Sequence, residues 1–426
     1  MKIRELLRQA ARDPRLALML PLGFSSGLPY LLIFSTQSAW LRGAGIPPRE
    51  IGLMSWCLLA FSFKFLWAPI IDRFDPPYLG AWLGRRRAWM LIAQFGVAAG
   101  LVGLAFGDPA ASLLWSIVFG SWTGFAAATQ DIAIDGWRID AAPSERQGLM
   151  VGVYSLGYRL ATFAAGWGAL AMSDQVGWRA TYIVMSALAV VGMCACLIAP
   201  RLDAVAAGPR PALRLTFVEP LADLAKRHGR VIVPILILVA LYRMPDILSG
   251  VMAMPLYKDL GFSNTQIGNV SKIYGVGVTI VGTLAGGLCV ARLGLMPTLL
   301  IGGVAASVSH LTFSWLAGYP GRIDVLTVAV SCDNFAGGFA GAALIAYMSS
   351  LVSPVYAATQ YALLSSLYAL PGKFVGGVSG FAVEAWGYPH FFATTALIGL
   401  PVAALCLLVW RLGASAAAPA KAAPSS

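Results

Sequence analysis

The sequence predicts an all-α integral membrane protein with twelve transmembrane helices, arranged in two pseudo-symmetric bundles of six. Three observations predict this fold: a very apolar composition, apolar segments long enough to cross a bilayer, and an internal repeat. Of the 426 residues, 58% are hydrophobic and only 12% are charged. Soluble domains carry about 25% charged residues. The composition therefore excludes a soluble enzyme, a nucleic-acid-binding protein and a disordered chain.

The apolar segments each run to about twenty residues, the length of helix that crosses a hydrocarbon core about 30 Å thick. They lack the alternation of apolar and polar residues that is typical of an outer-membrane barrel. The expected spans are residues 17–39, 51–71, 88–107, 111–133, 148–172, 179–199, 231–256, 267–290, 296–317, 324–351, 359–384 and 390–410.

The basic residues predict which side of the membrane each loop occupies. With the N-terminus placed inside, twenty of the 30 Lys and Arg residues fall in cytoplasmic segments and five in outer loops. This bias follows the positive-inside rule and places both termini in the cytoplasm. The net charge of +11 is therefore attributed to topology, and no nucleic-acid partner is expected.

The two halves of the chain match each other in sequence. Residues 41–52 (LRGAGIPPREIG) align with residues 257–268 (YKDLGFSNTQIG), so that Gly45 meets Gly261. An even number of spans in each half makes the repeat parallel, as in major-facilitator transporters, whose substrate site lies near the midplane between the bundles. The expected domains are an N-terminal bundle (1–199), a central cytoplasmic loop (200–230), a C-terminal bundle (231–411) and a disordered cytoplasmic tail (412–426).

The loop between spans 2 and 3 carries a charged motif. Asp72-Arg73 is followed, after an insertion, by Gly84-Arg85-Arg86-Arg87. This pattern resembles the DR…GRR signature of the major facilitator superfamily, which implies a charge relay that clamps the cytoplasmic helix ends. A plain cluster of positive-inside charges would explain the arginines but not Asp72. The predicted gating residues are Asp72, Arg73, Arg85 and Asp135.

Charged side chains inside the spans are functional hypotheses, because each costs at least a few kcal/mol in a bilayer. The spans hold five basic residues against three acidic ones: Lys64, Arg159, Arg243, Lys272 and Lys373 against Asp131, Asp246 and Asp333. The surplus of positive charge suits a substrate with carboxylates or phosphates. The planar guanidinium of arginine matches the geometry of these groups better than the ammonium of lysine does. The predicted substrate-binding residues are Arg159, Lys373, Arg243, Lys64, Gln130 and Tyr158.

The embedded carboxylates are candidates for proton coupling, because a shielded carboxyl group can load and release a proton. Asp131 and Asp333 are the two candidates, and the proton is the only coupling ion or cofactor expected. For Asp131 the alternative is an ion pair with Arg73, Arg138 or Arg159. Arg243 and Asp246, three residues apart, could pair directly. His310 is a lone intramembrane histidine, expected to pack between helices, and no metal site is expected.

Several segments of the first half carry a family resemblance. They are residues 23–29 (GFSSGLP), 63–73 (FKFLWAPIIDR), 84–90 (GRRRAWM), 130–135 (QDIAID) and 157–159 (GYR). Together they resemble the AmpG-type muropeptide permeases, a major-facilitator branch that also includes acetyl-CoA transporters and some siderophore importers. The resemblance implies proton-driven import of anhydro-muropeptides from periplasm to cytoplasm for cell-wall recycling and, in some bacteria, β-lactamase induction.

Two other classes of function and other substrates stay open at this point. A siderophore or acetyl-CoA is also anionic, and the residues alone do not choose among these solutes. A membrane enzyme is not expected, because the chain shows no interfacial carboxylate cluster and no large loop domain. A non-transporting scaffold would not need unmatched embedded basic residues. We expect a monomer in the bacterial inner membrane, in contact with lipid and with a small anionic substrate.

Overall fold

The computed structural model describes residues 14–141, 144–202, 213–353 and 357–417. These residues form helices and short turns, without any strand, which confirms the predicted all-α class. The chain forms two compact units. Unit 1 comprises Met1–Gly208 and Met254–Ile273, and unit 2 comprises Pro209–Ala253 and Tyr274–Ser426.

The first half of the chain contains eleven described α-helices and three short segments of other helical types. The α-helices are α1 (Pro14–Leu32), α2 (Ser35–Gly43), α3 (Pro48–Met54), α4 (Leu59–Phe63), α5 (Ala68–Arg73), α6 (Leu79–Leu83), α7 (Arg85–Phe106), α8 (Leu113–Ala141), α9 (Ser144–Phe163), α10 (Ala169–Leu188) and α11 (Val190–Ile198). The others are 3₁₀ turns at Ser55–Leu58 and Lys64–Leu66 and a π-helix at Ala164–Gly168.

The second half contains eight more described α-helices, again with short segments between them. The α-helices are α12 (Leu213–His228), α13 (Ile232–Tyr242), α14 (Met244–Asp259), α15 (Asn264–Ile267), α16 (Gly275–Leu293), α17 (Leu295–Leu316), α18 (Ile323–Leu351) and α19 (Ala357–Ala417). A 3₁₀ turn lies at Gly229–Val231 and a second π-helix at Gly268–Tyr274.

Eight helical segments of the described chain are long and apolar enough to cross a membrane. Two of them, Met150–Ile198 and Leu363–Leu412, contain 49 and 50 residues. Each is long enough for two crossings of about twenty residues. Each also turns at a glycine with positive φ, Gly177 or Gly387. The count of twelve spans stays a prediction.

The predicted span 51–71 is not one continuous helix. It is divided into helices α3, α4 and α5 by the two 3₁₀ turns. Pro69 stands in the first turn of α5 and has no N–H to donate to the preceding turn, so a new helix starts there. The break places Lys64 on a tight turn rather than on a regular helix face.

The predicted central loop 200–230 contains helix α12. Its last turn carries three basic residues, which interact favourably with the negative end of the helix dipole. Leu224 is 2% exposed and packs in the core of unit 2. Arg227 pairs with Asp223 at 2.9 Å and donates to the Leu351 carbonyl at 3.0 Å. The polarity of segment 200–230 predicted a loop and did not reveal this helix.

The internal repeat reappears in the backbone. Gly45 and Gly261 have φ of 85° and 82° just after helices α2 and α14 end. Gly84 and Gly294 have φ of 78° and 87° just before helices α7 and α17 begin. A positive φ costs glycine little and other residues more, so each pair marks the same turn in both halves.

Within unit 1, residues Met254–Ile273 are held to the N-terminal part of the unit by polar contacts. Arg42 forms a bidentate ion pair with Asp259. The Asp174 carboxylate accepts hydrogen bonds from the backbone N–H groups of Asn264 at 3.3 Å and Thr265 at 2.7 Å. These contacts satisfy the free N–H groups at the start of helix α15.

Glycines allow two pairs of helices to approach closely. In unit 1, a Cβ added at Gly23 or Gly27 of α1 would overlap the backbone of Tyr154 or Tyr158 on α9. In unit 2, a Cβ at Gly282 of α16 would overlap the backbone of α18 in the same way. Small residues spaced four apart are typical of packed membrane helices. The approach of α9 to α1 also brings its tyrosines to the polar residues described next.

Candidate functional site

Unit 1 contains a polar cluster around Asp131 on helix α8. The Ser26 hydroxyl on α1 donates to the Asp131 carboxylate, and the Tyr154 hydroxyl on α9 donates to Ser26 at 2.6 Å. Lys64 Nζ lies 4.0 Å from an oxygen of Asp131 and 4.0 Å from an oxygen of Asp135. The cluster therefore joins three helices and the 3₁₀ turn that carries Lys64.

Among the described residues, the charges of this cluster are balanced. Arg138 lies 3.3 Å from Asp135, so that two basic side chains face two carboxylates. The partner of Asp131 is Lys64, not Arg138 or Arg159, two of the three arginines expected from the sequence. The third, Arg73, lies in α5, but its side chain falls outside the part that the structure describes. Lys64, a predicted substrate contact, is thus held between two carboxylates.

Gln130 and Tyr158, also predicted substrate contacts, flank this cluster. Gln130 is fully buried, and its side-chain oxygen accepts a hydrogen bond from Ser25 at 3.3 Å. Its side-chain nitrogen has no partner among the described residues. Tyr158 is half-buried, and its ring centroid lies 6.4 Å from that of Tyr154. Of the two, Tyr158 is the more accessible.

Arg159 occupies an exposed position on helix α9, next to Tyr158. The neighbouring Leu160 is 49% exposed, so this stretch of α9 is not covered by other helices of unit 1. Among the described residues, Arg159 takes part in no ion pair, unlike Lys64. Its guanidinium can therefore donate hydrogen bonds to a carboxylate that is not part of unit 1.

Unit 2 contains a second cluster of charges, at the break between helices α13 and α14. Arg243 lies at the break and pairs with Asp246 at 2.9 Å, which confirms the pair expected from their spacing. Arg243 also donates to the Gly337 carbonyl of α18 at 3.0 Å. Asp333 lies on α18 and His310 on α17. His310 Nε2 is 3.3 Å from Asp246 and 3.8 Å from Asp333.

The sequence predicted that His310 packs between helices, but not that it lies beside two carboxylates. A histidine on an apolar helix suggests packing, and the packing is real, because His310 is completely buried. Its proximity to two carboxylates depends on three helices that meet in space. The signal available in the sequence was the presence of two acidic residues, Asp246 and Asp333, at similar depths in other spans of the same half.

Two further basic residues lie in the expected spans. Lys373 is half-buried on α19, next to Gly372, which packs against Ile247 of α14. Lys272 lies on the π-helix Gly268–Tyr274, and its ammonium group donates to the Ser35 hydroxyl at 3.1 Å. Lys373 belongs to unit 2 and Lys272 to unit 1.

The predicted gating motif forms an ion-paired cluster at one end of unit 1. Arg85 lies 4.0 Å from Asp75, and Arg86 lies 3.1 Å from Asp140. Arg87 donates to the Cys196 and Leu197 carbonyls at 3.0 and 2.7 Å, which ties α7 to the end of α11. The side chains of Asp72 and Arg73 lie outside the described part of the structure. Among the described residues, no group of three or more His, Cys, Asp or Glu side chains is arranged so that it could hold a metal ion.

A helical fold with several candidate membrane spans, two charge clusters and an accessible arginine in an expected span is typical of a membrane transporter. The sequence profile of the Major Facilitator Superfamily matches residues 19–374. The chain belongs to this superfamily and, within it, to the AmpG-type permeases.

Relatives support this placement over the whole chain. The anhydromuropeptide permease of Escherichia coli (strain K12) is 34% identical over 402 residues, which cover 94% of this chain and 80% of that protein. A putative transporter AmpG 4 of Rickettsia conorii is 32% identical, with 94% of this chain and 97% of the relative covered. These two relatives are named as a permease and as a putative transporter.

Solved structures share the fold at low sequence identity. The nucleoside transporter NupG matches with a TM-score of 0.72 and 16% identity, over 93% of this chain and 99% of that one. A bacterial homologue of the human lysosomal transporter Spinster, in an inward-facing and unoccupied conformation, matches with a TM-score of 0.70 and 15% identity, over 96% and 99%. These similarities define the architecture and carry no information on substrate.

Proposed function

We propose that this protein is a proton-coupled importer of anhydromuropeptides in the bacterial inner membrane, with both termini in the cytoplasm. The observation that carries the proposal is the 34% identity to the anhydromuropeptide permease across 94% of this chain. The protein is not an enzyme in this proposal and works as a monomer. Its partners are the lipid bilayer and a small anionic solute.

Arg159 is the first contact that we assign to the substrate. The peptide part of an anhydromuropeptide carries carboxylates, and a guanidinium binds a carboxylate through two parallel hydrogen bonds. The exposed position of Arg159, outside the ion pairs of the described residues, supports this role. Tyr158 stands next to it and offers a hydroxyl and an aromatic ring to the sugar or the peptide.

The other predicted contacts are assigned secondary roles. Lys373 and Arg243 supply positive charge in unit 2, where Arg243 already neutralises Asp246. Lys64 is shared by two carboxylates, and Gln130 is buried, so each reaches a substrate only after a rearrangement. The gating role proposed for Asp72, Arg73, Arg85 and Asp135 is consistent with the ion pairs of Arg85 and Asp135.

Asp131 and Asp333 are the candidate proton carriers. Both are carboxylates within the expected spans, and both contact polar groups of neighbouring helices. A carboxylate that exchanges a proton during the cycle links solute entry to the proton gradient. Asp131 is already paired with Lys64, whereas Asp333 lies next to a histidine.

The proposal is tested by uptake of labelled anhydromuropeptide into proteoliposomes with an acidic exterior. We expect accumulation above the external concentration, which a protonophore abolishes and which protein-free liposomes do not show. Excess unlabelled acetyl-CoA or ferric siderophore should leave the uptake unchanged. Accumulation of either of these solutes, without uptake of anhydromuropeptide, would contradict the assigned substrate.

A further inference from the structure

His310 is a buried ionisable group that the proposed function does not use. None of its surface is exposed, yet its Nε2 atom lies 3.3 Å from Asp246 and 3.8 Å from Asp333. Among the described residues, neither ring nitrogen forms a hydrogen bond of good geometry. The imidazole is therefore held by packing and by the field of the two carboxylates.

The charges around His310 do not balance when its ring is neutral. Among the described residues, the basic side chains beside these carboxylates are Arg243, 2.9 Å from Asp246, and His310, which lies near both Asp246 and Asp333. Among the described ion pairs, one guanidinium thus faces two carboxylates, and an uncompensated charge within a membrane span is costly. Taking up one proton makes the cluster neutral.

The remaining polar groups near this cluster are neutral and already bonded. The Tyr242 hydroxyl donates to the Leu299 carbonyl at 2.7 Å, and the Ser309 hydroxyl donates to the Ala306 carbonyl at 2.6 Å. Neither can neutralise a carboxylate. The cluster of unit 1 differs in this respect, because there Lys64 and Arg138 match Asp131 and Asp135. The charge balance therefore favours unit 2 as the place where a proton is bound.

We propose that Asp246, His310 and Asp333 form one shared binding site for the coupling proton. The inference rests on the proposed function, since it names the site of its coupling ion. The Asp333 side chain is 33% exposed, the Asp246 side chain 14% and the His310 side chain 0%. The proton enters on the Asp333 carboxylate and is shared with the His310 ring. It leaves again from Asp333.

Proton binding also changes what Arg243 can do. An imidazolium beside Asp246 competes with the Arg243 guanidinium for the same carboxylate. Binding of the proton thereby weakens the ion pair between Arg243 and Asp246. Arg243 can then bind a carboxylate of the substrate. Proton and anionic solute then favour each other's binding, as symport requires.

The test separates exchange from accumulation in proteoliposomes. Exchange of labelled for unlabelled anhydromuropeptide at equal pH needs a working site but no net proton movement. With the membrane potential clamped, a gradient of about two pH units supports up to about 100-fold accumulation per coupled proton. We expect His310→Gln to retain exchange and to lose accumulation. The control is His390→Gln, because His390 is exposed on α19, and it should retain both.

The outcomes distinguish this inference from the proposed function. Absence of exchange in the unsubstituted protein would contradict the function itself. Normal accumulation by His310→Gln would overturn the proton site while leaving the function intact. If His310→Gln does not fold, Asp333→Asn decides, because it removes the unmatched charge without enlarging a side chain. Exchange without accumulation supports the shared site, and normal accumulation by Asp333→Asn contradicts it.

Discussion

Arg159 differs from Lys64 and Arg243 in how its charge is balanced. Lys64 lies between Asp131 and Asp135, and Arg243 pairs with Asp246. Arg159 is exposed on α9 and takes part in no ion pair among the described residues. Replacing a basic residue is strongly destabilising where it leaves a buried carboxylate without its ion-pair partner. Substitutions at Arg159 should therefore affect binding rather than stability.

Arg159→Lys should weaken anhydromuropeptide binding by about tenfold. The ammonium group of lysine cannot bind a carboxylate through two parallel hydrogen bonds, so one charged hydrogen bond of about 1.5 kcal/mol is lost. Arg159→Ala should weaken it further, by about 100-fold. Affinity and melting temperature are measured together in detergent. Arg179→Lys is the control, since Arg179 lies over the Phe106 ring at 4.5 Å. An Arg159→Ala variant that binds normally but melts early would contradict the substrate contact.

The Lys64–Asp131 pair should contribute to stability instead. The pair is partly exposed, 35% for Lys64 and 16% for Asp131, so we expect each single substitution to cost about 1–2 kcal/mol, less than for a dry pair. Lys64→Met and Asp131→Asn should each lower the melting temperature. The double variant should lose less than the two losses together, because no charge at position 131 is left unpaired and Asp135 keeps its pair with Arg138. Additive losses would show that the two charges do not interact.

At the scale of elements, the close contact of α1 with α9 sets the position of the tyrosines. Gly23→Ala should push Tyr154 away from Ser26, because the added methyl group meets the Tyr154 backbone. Overpacking of this kind costs about 1–3 kcal/mol. Gly152→Ala is the matched control on α9, because nothing lies within 4 Å of the added methyl group. Equal melting temperatures for the two variants would contradict the close contact.

Helix breaks were not predictable from the apolar pattern. The pattern reports where about twenty residues can cross a bilayer, since it depends on bilayer thickness. It does not report where the backbone departs from α-helical geometry inside a span. The structure places Lys64 on a 3₁₀ turn and Arg243 between α13 and α14. Pro69 and Pro245, both near the start of a new helix, were the available signals.

At the scale of the whole molecule, the sequence predicted the all-α class, the superfamily and the AmpG-type branch. It also predicted the Arg243–Asp246 pair, because two residues three apart in sequence stay close together even where, as here, the first lies at the break just before the helix. The Lys64–Asp131 pair and the carboxylates beside His310 join segments far apart in sequence. Their proximity depends on helix packing, which residue spacing does not define. The sequence therefore supplied the right charged residues without most of their partners.

Topology is testable by labelling single cysteines in a cysteine-free background in cells. Arg49 and Glu219 are exposed positions that the charge bias places on opposite sides of the membrane. We expect Arg49→Cys to react with an impermeant reagent added outside, and Glu219→Cys to react only after permeabilisation. External labelling of Glu219→Cys would contradict the placement of both termini in the cytoplasm.

The most direct test of proton-coupled transport follows the proton rather than the solute. Proteoliposomes with a trapped pH indicator start without a gradient, and anhydromuropeptide is added outside. We predict that the lumen acidifies as the solute enters, and that His310→Gln abolishes the acidification. Entry of the labelled solute into vesicles of the unsubstituted protein with no change of internal pH would contradict proton coupling.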